Sequence, residues 1–185
     1  YGGIVAGTGA LTKANTGTLI LLGANTYTGA TNINGGVLSI SADNNLGTAP
    51  GAATPNDLTF NGGTLASTAS FTLNANRGVA LNAGGGTFNV APATTLSYGG
   101  VVAGTGALTK ANTGTLILSG NNTYSGATNI NAGTLSVTAA NALGATGAGT
   151  VVASGATLNV NGVAIGNETV TLNGAGVGGN GALTG

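Results

Sequence analysis

Residues Gly9 to Ile40 read GALTKANTGTLILLGANTYTGATNINGGVLSI, and Gly106 to Val137 read GALTKANTGTLILSGNNTYSGATNINAGTLSV. The match runs upstream to Tyr1 and Tyr98, an offset of 97 residues with 33 identities over 40 aligned positions. The changes are mild, as at Ile4/Val101, Thr28/Ser125 and Ile40/Val137. Long-period self-similarity marks stacked units, each too small to bury its apolar face alone.

Within each copy, runs of about three to six β-prone residues alternate with glycine or asparagine: Ala-Leu-Thr-Lys, Thr-Leu-Ile-Leu, Thr-Asn-Ile-Asn, Val-Leu-Ser-Ile. Helical spacing of apolar residues is missing, and the 37 glycines oppose helix, each by roughly 1 kcal/mol. The chain is expected to be all-β. Leu19, Leu38 and Leu58 follow one another at nearly equal intervals, and Leu116 and Leu135 repeat the interval between Leu19 and Leu38. These five leucines are the expected core, stacked in coils of about 19–20 residues. Five coils would then divide the 97-residue repeat, and roughly nine would make up the chain. The reading is one continuous β-solenoid over 1–185, with a first copy at 1–97 and an incomplete second at 98–185. Gly179-Asn-Gly-Ala-Leu-Thr184 resembles Gly7-Thr-Gly-Ala-Leu-Thr12, so a third unit starts there.

Asn122, Asn141, Asn161 and Asn180 keep nearly the same step. Stacked at about 4.8 Å, asparagine amides can donate to and accept from one another. Asparagine is also an ordinary turn residue, so ladder and coincidence both stand. The segment from Asn44 to Asp57 holds two prolines and, with Asp43 just before it, gathers both aspartates; it reads as a loop bulging from one coil.

Gly-Ala-Leu-Thr-Lys, Gly-Thr-Leu-Ile-Leu, Asn-Thr-Tyr-Thr-Gly-Ala-Thr and Gly-Val-Leu-Ser-Ile closely resemble the autotransporter-associated β-strand repeat of bacterial passenger proteins. The resemblance covers Gly9 to Ile40 and Gly106 to Val137, and departs from the family at Lys13-Ala-Asn15, where a glycine usually follows the lysine. It implies a right-handed parallel β-helix exported to the bacterial cell surface, in which the repeats mostly form a stalk.

Composition limits the chemistry. The chain has no Cys or His, three basic and three acidic residues, zero net charge and 42% hydrophobic residues. Thiolate metal sites and disulfides are excluded, and no cofactor is expected. Zero net charge gives no electrostatic basis for holding nucleic acid or an anionic membrane, and no apolar run reaches the length of a membrane span. Catalysis would rest on Asp43, Asp57 and Glu168, which are scattered and unmatched between copies, so no catalytic residue is assigned and the acids of the loop are expected in solvent. The repeated Lys13 and Lys110 read as solvated charges or as contacts for a partner. Tyr27 and Tyr124 read as corner residues with wet hydroxyls or as a sugar-binding face.

The expected function is a non-catalytic extracellular stalk or fibre module. The alternatives are an adhesin engaging surface glycans or another cell, and, more remotely, an ice-binding solenoid carrying Thr-x-Thr in every coil. Thr16-Gly-Thr18 and Thr113-Gly-Thr115 fit that pattern, but on this reading they sit five coils apart rather than one. Neither terminal stretch reads as a cap, so the partner expected at the ends is more of the same chain or another copy stacked head to tail.

Overall fold

A computed structural model describes residues 1–185. The strands in chain order are β1 (Leu11–Lys13), β2 (Thr18–Ile20), β3 (Thr31–Ile33), β4 (Val37–Ile40), β5 (Thr54–Phe60), β6 (Thr64–Ser67) and β7 (Phe71–Leu73). There follow β8 (Arg77–Leu81), β9 (Gly86–Val90), β10 (Thr95–Tyr98), β11 (Val102–Gly104), β12 (Leu108–Ala111) and β13 (Thr115–Leu118). The last six are β14 (Thr128–Ile130), β15 (Gly133–Val137), β16 (Thr150–Val152), β17 (Ala156–Asn159), β18 (Val170–Leu172) and β19 (Leu183–Thr184). Two short 3-10 turns, Asp43–Leu46 and Val177–Gly179, are the only helical pieces.

All strand pairs are parallel and join turns of a solenoid into three sheets. Sheet A runs β1-β3-β5-β8-β11, sheet B β2-β4-β6-β9-β12-β14-β16-β18, and sheet C β7-β10-β13-β15-β17-β19. Parallel strands joined by short corners leave one side chain in two facing inward, and the inward residues stack in columns. In sheet B the column is Leu19, Leu38, Leu65, Phe88, Lys110, Ile130, Val152 and Leu172. In sheet C it is Phe71, Leu96, Leu116, Leu135, Leu158 and Leu183. The columns meet in one apolar core of 29 buried residues. Phe60 of sheet A and Phe88 of sheet B tilt against each other there, ring centroids 5.1 Å apart.

Sheet B counts about eight turns rather than nine, and eight at about 4.8 Å give a rod on the order of 40 Å long. The turns are unequal and on average longer than the leucine spacing suggests. Leu19 stacks on Leu38 as expected, but Leu38 stacks on Leu65, well past Leu58. Leu58 therefore does not continue the Leu19–Leu38 column. It lies in sheet A between Thr31 and Val79, because the loop before it lengthens its turn. Leu38, Leu58, Leu116 and Leu135 are fully buried, and Leu19, on an outermost strand, is half-buried.

The 97-residue repeat is also not five coils. From Leu11 sheet A steps through Thr31, Leu58 and Val79 to Val102, four turns, and Leu108 then opens the next face. The repeat is thus four turns and one face. The first copy lays its strand pairs in sheets A and B (β1–β2, β3–β4), the second in sheets B and C (β12–β13, β14–β15). The third Ala-Leu-Thr, at β19, falls in sheet C. The two Thr-Gly-Thr pairs consequently point from different faces, Thr18 from sheet B and Thr115 from sheet C. Sheet C carries a continuous threonine column (Thr95, Thr115, Thr134, Thr157), but its companions two positions on are Ser97, Ile117, Ser136 and Asn159. No sheet carries Thr-x-Thr in successive turns, which removes the support for ice binding.

Candidate functional site

The repeated lysines are corner clamps rather than solvated charges. Lys110 is fully buried, in the inward column between Phe88 and Ile130. Its Nζ donates to the carbonyls of Ala111, Asn112 and Ala132 at 2.9, 2.6 and 3.1 Å. Lys13 repeats this on Ala14, Asn15 and Gly35 at 2.8, 2.9 and 3.2 Å. The geometry follows from Lys-Ala-Asn: the asparagine takes a left-handed backbone (φ 57 at Asn15, 64 at Asn112), which curls two successive carbonyls around the ammonium. Burial pushes the Lys110 ammonium down to about 8.

Asn122 and Asn25 bond to backbone, not to other asparagine side chains. Asn122 Oδ1 accepts from the Val102 N–H at 2.8 Å and its Nδ2 donates to the Ala142 carbonyl at 2.6 Å, tying three turns together. Asn25 does the same for Val5 and Asn45. Asn141 is exposed and offers its own carbonyl to the Asn122 N–H, while Asn161 reaches Ser136 and Val137 and Asn180 lies exposed beside the second 3-10 turn. The four residues of the expected ladder make no amide-to-amide bond. The backbone of the adjoining turns takes both ends of the Asn122 amide, Asn161 turns to Ser136 and Val137, and the Asn141 and Asn180 side chains lie in solvent.

Tyr27 and Tyr124 are buried with hydroxyls on Thr31 and Thr128 at 2.7 and 2.6 Å, so neither offers a face to a sugar. Burial raises both phenols above their ordinary range. Against each ring lies a left-handed glycine, Gly47 (φ 78) or Gly144 (φ 79), whose Cβ would stand 3.0 Å from ring carbons. The echo Asn-Asn-Leu-Gly and Asn-Ala-Leu-Gly, at the same 97-residue offset, is the sequence signal for this extension of the repeat.

The scattered acids converge. Arg77, 2% exposed, opens β8 and points inward beneath the loop of the preceding turn. Its Nε and Nη2 donate to Asp43 at 3.0 and 3.2 Å, Nη1 to Asp57 at 3.1 Å and to the Leu46 carbonyl at 3.1 Å, and Nη2 also to the Gly47 carbonyl at 2.7 Å. All five guanidinium N–H groups are thus engaged. Burial raises the Asp57 carboxyl above its ordinary range, more than Arg77 lowers it. The expectation of solvated loop acids fails because an arginine far from Asp43 along the chain is only one turn away in space. Glu168 stands apart, accepting from the Thr150 hydroxyl at 2.7 Å.

Asp43 and Asp57 bracket the arm 48–56. Where it rejoins sheet A the register slips between Thr54 and Leu58, and Asn56 (φ 62) stands out from the sheet. Beneath the arm opens a cavity of about 500 Å³, walled by Pro55, Asn56 and Asn76, floored by Gly78 and Gly100, and edged by Val101. Gly78 has no room for a side chain, its Cβ falling 2.6 Å from the Thr54 carbonyl oxygen. With Lys13, Lys110, Arg77 and Asp57 buried, and Asp43 and Glu168 partly so, no charged side chain is fully exposed.

The passenger-associated-transport-repeat family matches residues 11–40 and 108–137, the two stretches that carry the lysine clamps, asparagine brackets and buried tyrosines. The chain is 42% identical over 137 residues to the "Adhesin BmaC autotransporter" of Brucella suis biovar 1 (strain 1330). That alignment covers 74% of this chain and 4% of the much longer relative. No solved structure matches. Two copies of the motif, each folding the same clamps into a parallel β-solenoid, make the chain a member of the autotransporter-associated repeat proteins.

Proposed function

We propose that the chain is a non-catalytic module of an autotransporter passenger, displayed on or secreted from a bacterial cell, and that it serves as a stalk. The observation that carries this reading is where the reactive side chains go. The lysines, Arg77, Asp43, Asp57 and the tyrosines Tyr27, Tyr98 and Tyr124 are consumed in fastening corners and neighbouring turns. The outside is left largely to Thr, Asn, Ser, Gly and scattered apolar side chains. Edge strands with half-exposed apolar side chains, such as Ile20 on β2 and Leu172 on β18, suit continuation by further coils of one chain or by a second copy stacked head to tail. Sedimentation of the native protein tests that stacking: a monomer unchanged with concentration excludes it. Antibodies against this chain should label intact cells, and labelling only after permeabilisation would refute surface display.

A second reading, an adhesin-type binding module for glycans or another cell, is favoured by the cavity beneath the arm. A glycan array and a cell-binding assay separate the two, since a pure stalk gives no hits in either.

A further inference from the structure

The arm is not needed to close a turn. The corresponding turn of the second copy passes from Leu135 to Leu158 by a shorter path, without an arginine or an aspartate. The first copy takes the longer path from Leu38 to Leu65 and fastens it with Asp43, Asp57 and Arg77, half of the chain's charged side chains. A buried ion network contributes little net stability over apolar packing, and here it ties both ends of the arm, Asp43 to Gly47 and Asp57, to one guanidinium. That tie sets the position of a roof over the cavity.

The lining selects the occupant. Its volume lies in the range of small-ligand sites. It contains no charge, and the nearest charges, Arg77 and Asp57, are buried and paired, so a charged group entering would lose water without gaining a counter-ion. The rim's polar groups are largely committed: Asn76 Nδ2 donates to the Pro50 carbonyl at 2.9 Å and the Thr54 hydroxyl to the Ala52 carbonyl at 3.0 Å. A saccharide would find few free partners for its hydroxyls. Val101, 47% exposed, offers an apolar edge, and the Asn56 side chain is exposed and makes no hydrogen bond within the chain.

We propose that the arm and the glycine floor beneath it form a recognition groove for a neutral, apolar peptide segment of a partner protein, with Arg77 as the positioning residue that holds the roof. The segment's side chain fills the cavity against Val101, and its backbone amide pairs with the Asn56 amide. This rests on the binding-module reading above.

The test is an NMR titration of the 15N-labelled full chain with the capped peptide Ac-Ala-Val-Leu-Val-Ala-NH2 at millimolar concentration. Parallel titrations use the same peptide with a central Lys or Asp, and maltotriose. The neutral peptide should shift the amides of Gly78, Gly100 and Val101, and the charged ones should bind at least about tenfold more weakly. Val101→Asp, a surface change that leaves the core alone, should weaken the neutral peptide by about tenfold at unchanged melting temperature. Arg77→Met should lose the response with the roof. Silence towards the neutral peptide, equal response to the charged ones, or an unaltered response in Val101→Asp overturns the proposal. Maltotriose shifting these amides in place of the peptide overturns it too, while leaving the binding-module reading intact. That reading fails separately, if glycan array and cell binding are both blank.

Discussion

Replacing Lys110 by Met keeps most of the side-chain volume in the sheet B column and removes only the ammonium. Three carbonyls, at 2.6 to 3.1 Å from Nζ, then lose their donor. Leaving a buried acceptor unpaired costs roughly 1–3 kcal/mol, and relief from burying a charge offsets part of the total. Because these corner carbonyls are partly reachable by water, a net loss of about 2 kcal/mol is expected, a fall of roughly 4–8 °C in melting temperature for a chain of this length. Lys13→Met, on an outermost turn, should cost less. The pH dependence carries the opposite sign from the hydrogen bonds. Burial holds folded Lys110 at about 8 against 10.5 for the free side chain. Between those values the unfolded chain binds the extra proton, so stability from this group rises with pH across that window. Thermal melts by circular dichroism from pH 7 to about 9, below the range where unfolded tyrosines ionise and the buried phenols Tyr27, Tyr98 and Tyr124 do not, should show that rise in the wild type and not in Lys110→Met. A variant as stable as the wild type at pH 7, or one retaining the rise, would refute the clamp.

Leu116→Ala, between Leu96 and Leu135 in the core of sheet C, should lose about 2–5 kcal/mol in urea unfolding. Asn122→Ala orphans the buried Val102 N–H and should cost about 1–3 kcal/mol, with Asn122→Asp at least as severe because a carboxylate oxygen would face the Ala142 carbonyl. Gly133→Ala meets both a left-handed backbone (φ 65) and the Asn112 carbonyl oxygen 2.6 Å from the new Cβ, so its melting temperature should fall where Gly147→Ala, in open space, leaves it unchanged. With no charged side chain fully exposed, melting temperature should stay nearly flat from low to high sodium chloride at pH 7.

The sequence announced the solenoid through its short β-prone runs and its long-period echo, and the burial of Leu116 and Leu135 followed from their spacing. The registers were not legible, because a period averages over turns of unequal length and the arm shifts every later residue relative to it. That is why Leu58 lands in a different sheet from Leu38. Charged residues misled for a related reason. Lysine is normally a surface residue, and only the left-handed asparagine two positions on builds the carbonyl nest that lets Lys110 go inside. The Asp43–Arg77–Asp57 network was invisible along the chain, since its members are adjacent only across turns.

The one-face advance between copies follows from what the motif requires. Lys-Ala-Asn-Thr-Gly needs a corner with a strand on each side and another turn stacked against it. Any corner of a three-sided solenoid supplies these, so nothing in the clamp distinguishes sheet A from sheet B. The segment between copies must therefore end at a corner, but not at the same one. Leu11, Leu108 and Leu183 open Ala-Leu-Thr in sheets A, B and C in turn, after four turns and one face and then three turns and one face. Unequal spacers thus give equal rotations. The side left without a strand rotates with the motif: residues 21–30 and 41–53 occupy the position of sheet C, whereas 119–127 and 138–149 occupy that of sheet A. Each motif contributes two strands and one irregular side, and that side is where the asparagine bracket and buried tyrosine replace the missing ladder. The arm with its Arg77 fastener grows from such an irregular side. Variation between copies thus concentrates where side chains, rather than a continuous ladder, hold the turn, and there an insertion can be added while the rod stays intact.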